Sequence, residues 1–351
     1  MLITDRYKNI GSAHPGGMAS VYPCHDSILD RKVAIKVMPG SANHRRARDE
    51  ISALLKMRSK HVVQIYDILR DNSDDLAIVQ EYISGRDLFE AETAPKNANE
   101  YLKLIWQISS GIADIHSLDV IHRDIKPNNM KIDSEGLVKI FDFGLSRNEG
   151  PQAATVGFVG TRGFAAPELY AHNSTFTKAV DTYAFGATAL FIGLRNLPKE
   201  ILHQPPTLPA SNPFSFPGLK LSSEVTSALG SCLNPNPSKR PAMSKVRDVL
   251  AKHLLQDKHK ALVVFKGKAS NLDHSNRSVA LRLPPIGEVE ISYNGFDFSV
   301  TNISGNVYIN NRKATIGHIL PGACVVTLGA PVHKSDRRHI TFDISHPEIV
   351  L

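Results

Sequence analysis

Eight residues, His122-Arg123-Asp124-Ile125-Lys126-Pro127-Asn128-Asn129, and the tripeptide Asp142-Phe143-Gly144 constrain this chain more than any other feature. Between them, Met130-Lys131-Ile132 and Leu137-Val138-Lys139-Ile140 are short apolar-rich runs around Asp133-Ser134-Glu135-Gly136. Two such runs about a turn with Gly near its end predict a β-hairpin. A hairpin returns its second end to its first, so Asn129 and Asp142 are expected side by side. An amide oxygen beside a carboxylate suits a hard, oxygen-preferring cation such as Mg²⁺ or Mn²⁺. Asp124, a few residues ahead of that site, is placed to accept a proton from an incoming hydroxyl.

With Asp124 as base and Asn129 and Asp142 as metal ligands, in this order, the chain resembles the eukaryotic-like (Hanks-type) serine/threonine protein kinases that bacteria also carry. The resemblance implies an α+β, bilobal fold with a β-rich N-lobe and a helical C-lobe. It implies ATP and Mg²⁺ (or Mn²⁺) as cofactors and protein hydroxyls as acceptors. Lys126, two residues after the base, is the Ser/Thr form of the loop and would stabilise the transferring phosphoryl group.

Upstream, Tyr7 to Val37 reads as strands with a glycine-bearing loop: Ile10-Gly11 opens it, Gly16-Gly17-Met18 forms the tip and Val21-Tyr22 resumes strand character. Glycine lets backbone amides approach phosphates closely. The loop departs from the family pattern, because Ala19 occupies the third glycine position. The first is either replaced by His14 or is Gly11 followed by an insertion. Val33-Ala34-Ile35-Lys36 is similar to the family's third strand, with the Lys36 charge on the α and β phosphates. By the resemblance, Ile10, Gly16, Gly17, Val21, Ala34 and Lys36 bind nucleotide. Residues 44–57 have helical spacing at Ala47, Ile51, Leu54 and Leu55, and Glu50 is expected to face Lys36. Gln80 would be the gatekeeper, and the backbones of Glu81 and Ile83 would contact adenine.

Tyr101 to Leu118 predicts a long amphipathic helix, with Leu104, Ile108, Ile112 and Ile115 spaced for burial. Leu145 to Phe158, rich in Gly, Ala, Asn and Ser, reads as a loop. The resemblance makes Thr155 its regulatory phosphorylation site, with Arg123 as the phosphate's partner, and Gly160 to Glu168 the substrate-docking stretch. Asp181 would brace the catalytic-loop backbone, and Arg240 would form a buried bidentate pair with Glu168. Leu197 to Pro217 is proline-rich and reads as an irregular loop.

Length and texture add a second part. At 351 residues the chain has room for about two domains. A kinase domain is expected over 1–256 and a small all-β sandwich over 261–351. Strand candidates recur at Ala261–Lys266, Ser278–Leu283, Glu288–Tyr293, Phe296–Thr301, Asn306–Asn310, Ala323–Leu328 and Arg338–Ile344, and Asn294-Gly295 predicts a two-residue hairpin. Val307-Tyr308-Ile309-Asn310-Asn311, Leu320-Pro321-Gly322 and Val325-Val326-Thr327-Leu328-Gly329 faintly resemble the second half of a forkhead-associated domain. The phosphothreonine-reading residues of that family are not recognisable, so a protein partner at this region is an open expectation.

Composition narrows the class. A hydrophobic content of 42% with 21% charged residues describes an ordinary globular chain. No apolar run is long enough to span a membrane, and the first residues lack a signal peptide's apolar core. Cys24, Cys232 and Cys324 match no metal or redox spacing, so a cytoplasmic setting is expected. The formal charge of +7 is scattered rather than striped beside aromatics, which argues against nucleic acid. Two rival readings remain: a pseudokinase or nucleotide-sensing scaffold acting through its β domain, for which the irregular glycine loop argues, and a small-molecule kinase, against which the docking stretch argues.

Overall fold

The period-two alternation of Val33-Ala34-Ile35-Lys36 decides which face of the first sheet carries chemistry. Val33 and Ile35 are fully buried with Tyr7, Cys24, Ala77 and Val79 in a small apolar core. Ala34 and Lys36 must therefore point to the opposite face. The computed structural model describes residues 5–15, 20–38, 55, 57–70, 76–143, 147–148, 160–171 and 176–350. Its first sheet is made by β1 (Tyr7–Asn9), β2 (His14–Pro15), β3 (Ser20–Asp26), β4 (Arg31–Met38), β5 (Ile65–Arg70) and β6 (Leu76–Glu81), ordered β1-β3-β4-β6-β5 with β2 on β3. All its pairings are antiparallel. Val21 lies opposite Lys36, which lies opposite Ile78, and Ala34 lies opposite Gln80. Directly opposed residues share a face, so Val21, Ala34, Lys36 and Gln80 line the side away from the small core.

After β7 (Arg86–Asp87) comes the helix α1 (Ala98–Ser117). It starts three residues earlier than its apolar spacing suggests, because Asn97 caps it by accepting the Glu100 amide at 2.9 Å. Glu100 returns the contact by accepting the Asn97 side-chain amide at 3.0 Å, and it also accepts the Lys96 amide at 2.8 Å. The buried stripe is Tyr101, Ile105, Ile108, Ile112 and Ile115, with the expected Leu104 only half-buried beside it. Tyr101 takes the inner position because its hydroxyl reaches the Ala189 carbonyl at 3.1 Å.

β8 (Val120–Ile121), β9 (Met130–Ile132), β10 (Val138–Ile140) and β11 (Arg147–Asn148) follow. β9 and β10 form the predicted hairpin, with Ile140 opposite Met130, and β8 pairs with β11. Then come α2 (Ala179–Leu194), α3 (Lys199–Leu202), α4 (Ser223–Cys232) and α5 (Met243–Leu254). α2 is apolar almost all round and buried, which identifies it as the helix at the centre of the lobe. The proline-rich 197–217 segment is irregular apart from α3, yet it delivers Phe214 and Phe216 to the core. Phe216 lies so close to α2 that a Cβ on Gly193 would stand 2.5 Å from its ring.

The chain divides into two compact units, 1–250 and 251–350, with the division inside α5. The second unit holds β12 (Ala261–Phe265), β13 (Lys268–Leu272), β14 (Ser278–Leu283), β15 (Gly287–Tyr293), β16 (Phe298–Gly305), β17 (Val307–Ile309), β18 (Arg312–Lys313), β19 (Cys324–Leu328) and β20 (Arg338–Ile344). One sheet runs β13-β12-β20-β19-β17-β18 and the other β14-β15-β16, enclosing a common core around Ile291, Val326 and Phe342. Two expectations change here. The tight two-residue turn joins β12 to β13 through Lys266 and Gly267, both at positive φ (51° and 74°), as a type I′ turn requires. Asn294-Gly295 instead belongs to a four-residue loop, with Tyr293 opposite Phe298. The Asn294 side chain drives this by accepting the amides of both Phe296 and Asp297 at 2.8 Å.

Among the described residues no helix is long and apolar enough to cross a membrane. Cys24, Cys232 and Cys324 are free and buried.

Candidate active site

The loop after β8 is held from below by one carboxylate. Asp181, in the first turn of α2, is fully buried. Its Oδ2 accepts the His122 amide at 2.8 Å and His116 Nε2 at 2.9 Å, and its Oδ1 accepts the Arg123 amide at 2.8 Å. Burial alone would raise its pKa, but the hydrogen bond from His116 and the neighbouring donors outweigh this and hold it below the ordinary carboxylate value. Arg123 sits at φ 72°, a left-handed conformation that costs a non-glycine residue energy. The paired amides stabilise that bend, directly before Asp124.

His122 ties the loop to the hairpin. Its Nδ1 accepts the Asp124 amide at 3.3 Å, so Nε2 carries the proton and donates to the Phe141 carbonyl at 3.2 Å. Its ring lies 4.5 Å from the Phe143 ring. The Phe141 amide in turn donates to the Asn129 carbonyl at 3.0 Å, which sets Asp142 alongside Asn129 at the mouth of the hairpin.

The Asp124 carboxylate is the hub. Oδ1 accepts the Thr161 hydroxyl at 2.9 Å, while Oδ2 accepts Lys126 Nζ and Asn129 Nδ2, each at 2.8 Å. Lys126 Nζ also donates to Thr161 Oγ1 at 2.8 Å. Asn129 Nδ2 further reaches the Asp124 carbonyl at 2.8 Å. Both protons of that amide nitrogen are thereby spoken for, so the Asn129 oxygen is the end left to face a cation.

Lys36 approaches from the sheet above, placing Nζ 2.9 Å from Asp142 Oδ1. Asp142 is half exposed and also at positive φ, 64°. An amide oxygen and a carboxylate next to an open face suit Mg²⁺ or Mn²⁺, whose remaining ligands would be phosphate and water. No group of three or more His, Cys, Asp or Glu among the described residues makes a separate metal cage.

The structure therefore brings Asp124, Lys126, Asn129 and Thr161 into one network, with Lys36 and Asp142 as a second pair. Val21 and Ala34 share the Lys36 face, while Ile10 stands half exposed at the sheet's margin. Glu81 donates its amide to the Gln64 carbonyl at 2.8 Å and lays its carboxylate on Lys139 at 2.7 Å. Ile83 follows it, partly buried against the helical core. Gly16, Gly17, Glu50 and Thr155 lie outside the described residues. Glu168 and Arg240 form the expected fork-to-fork pair at 2.6 and 2.8 Å, and Arg240 also donates to the carbonyls of Asn234, Ala179 and Pro235. His116 and Lys139 were not singled out from sequence. His116 could have been, since it lies four residues after Ile112 on an otherwise apolar stripe, where a titratable side chain needs a buried partner.

Residues 5–255 match the family model described as protein kinase domain. The serine/threonine-protein kinase PrkC of Bacillus subtilis is 38% identical over 193 residues, covering 52% of this chain and 30% of the relative. The serine/threonine-protein kinase PknA of Corynebacterium glutamicum is 32% identical over 250 residues, covering 64% and 51%. The mitogen-activated protein kinase mpk-1 of Caenorhabditis elegans is 31% identical over 196 residues, covering 52% and 44%. This chain thus spans about a third to a half of the length of these relatives. The match over residues 5–255, with the buried Asp181 brace, the Asp124 hub and the Lys36–Asp142 pair inside it, shows that the chain belongs to the protein kinase domain family.

Proposed function

We propose that the chain is a serine/threonine protein kinase that transfers the γ-phosphoryl group of ATP to protein hydroxyls. The observation that carries this is the Thr161 hydroxyl on Asp124 Oδ1, with the Lys126 ammonium touching both groups. The carboxylate is already shaped to accept a hydroxyl proton, and the cation stands where negative charge develops on the transferred group. Phosphoryl transfer needs chiefly positioning and charge neutralisation. Asp124 would orient and deprotonate the substrate hydroxyl, and Lys126 would stabilise the moving phosphoryl. Lys36 would hold the α and β phosphates, while Asn129 and Asp142 would hold magnesium, which neutralises phosphate charge when bound. The three buried thiols fit a cytoplasmic setting.

Incubation with labelled ATP and Mg²⁺ or Mn²⁺ tests the reading. Wild-type protein is expected to label itself or a generic basic substrate, and a map of the sites is expected to include Thr155. Asp142→Asn and Lys36→Ala are each expected to abolish transfer while leaving the circular-dichroism melt unchanged. Absence of transfer by the wild type under both metals would favour the scaffold reading instead.

A further inference from the structure

The residue after Thr161 forms a feature that the catalytic network does not use. Thr161 Oγ1 is 2.9 Å from Asp124 Oδ1, and consecutive Cα atoms are about 3.8 Å apart. Arg162 therefore begins one residue from the point an acceptor hydroxyl must reach. Its side chain is exposed. Arg162 Nε donates to the Leu202 carbonyl at 3.1 Å, at the C-terminal end of α3. Among the described residues this is its hydrogen bond, and no carboxylate pairs with it. Its two terminal nitrogens make no hydrogen bond among the described residues.

This arginine is held in place. The amides of Phe164 and Ala165 both donate to the Thr161 carbonyl at 3.0 Å, closing a turn around it. Gly163 follows at φ 85°, where an added Cβ would stand 2.9 Å from Leu197 and 3.1 Å from Leu202. The turn is thereby seated against the segment that carries α3. Pinning Nε removes much of the side-chain freedom that makes exposed ion pairs weak. A planar fork of N–H donors matches a carboxylate with two parallel hydrogen bonds. Charges nearby add to the bias: Lys199 on α3 is exposed, its neighbour Glu200 is half-buried, and the Asp124 carboxylate is already shared by three donors.

Resting on the kinase reading above, we propose that Arg162 selects acidic peptide substrates, with Asp or Glu within two residues of the phosphorylated Ser or Thr. An extended peptide advances about 3.3 Å per residue, so the pinned guanidinium faces the positions flanking the acceptor. A basic side chain at the same position would meet a fixed like charge, which rejects it.

The test is a positional scan of Ser/Thr peptides with the full chain, ATP and Mg²⁺. One position within two residues of the acceptor is expected to favour Asp and Glu. There the KM of the acidic peptide should lie about ten-fold below that of its Lys counterpart, with the ratio shrinking as salt is raised. Arg162→Glu is expected to invert the preference at that position alone, with KM for ATP within about two-fold of wild type. Arg162→Gln, which introduces no new charge, should abolish the preference. Transfer with no charge preference, or the same preference in all three proteins, overturns this inference and leaves the kinase reading intact. An equal loss of neutral-peptide turnover and melting temperature in both variants, with the acid-to-base ratio unchanged, overturns it in favour of a tie between the turn and α3. A wild type that phosphorylates no peptide removes the reading beneath it.

Discussion

At the scale of single residues, the Asp124 carboxylate is held by three partners on two stretches of chain. Thr161 is the most remote, 37 residues away, and its hydroxyl carries no charge of its own. Thr161→Ala is expected to lower kcat about 10- to 100-fold with KM for ATP nearly unchanged, since a small misplacement of a reacting group costs about that much. Thr161→Ser, which keeps the hydroxyl, should recover most of the rate in a steady-state assay. Such residues differ in how plainly the sequence announces them. Asp124, Lys126 and Asn129 lie within six positions of each other, so local spacing alone makes them readable. His116 and Lys139 are different, because what gives them roles is a partner 65 or 58 residues away, Asp181 and Glu81 respectively. No local pattern reports such a partner.

At the scale of elements, two tethers invite measurement. Arg240 is fully buried on Glu168, so Glu168→Gln leaves a buried cation facing a neutral amide and is expected to cost about 3 kcal/mol in denaturant unfolding. Replacing both partners with apolar residues should not restore stability, because the carbonyls of Asn234, Ala179 and Pro235 then lose their shared donor.

The second tether is the loop carrying His61, whose carbonyl accepts the Ile140 amide at 2.9 Å. His61 Nδ1 donates to the Val138 carbonyl at 3.1 Å, and its backbone lies against Gly111 of α1. Burial pushes the imidazole down to about 4, against the opposing pull of the Val138 bond, with Lys60, Asp114 and Lys139 as its charged neighbours. The folded state therefore resists a proton that the unfolded chain accepts near pH 6.5. Stability is expected to fall as pH drops from about 6.5 to 4, by roughly 3 kcal/mol at most. His61→Asn should flatten that part of the profile, and an unchanged slope would assign the effect to carboxylates instead. The β9–β10 hairpin, on which this loop docks, was legible because its turn and both strands fit within eleven residues. The turn at Asn294 was misread because Asn-Gly also suits a loop in which the Asn side chain, rather than the backbone, closes the bend. β13 went unseen because Lys-Ala-Ser-Asn-Leu has neither alternation nor β-branched residues, and is a strand only by pairing with β12.

At the scale of the whole molecule, each unit has its own apolar packing: the first a core around α2 and the small core of the first sheet, the second a core between the two C-terminal sheets. A chain ending at Gln256 keeps α5 whole and is expected to bind ATP as the full chain does. Calorimetry of the full chain should then show a transition that the shortened one lacks. A shortened chain that aggregates, beside a single transition in the full one, would show one cooperative unit.

The single carboxylate beneath the loop that carries Asp124 has a consequence for how this molecule fails when heated. Binding sites are commonly drawn from the least stable parts of a protein and lose shape before the rest melts. Here the bend at Arg123 is held by Asp181 in the first turn of α2, a helix buried almost all round. That helix opens only when the lobe as a whole opens. Inactivation on heating, followed by residual phosphoryl transfer, should therefore coincide with the loss of helical ellipticity rather than precede it: for Asp124, durability and competence are one quantity.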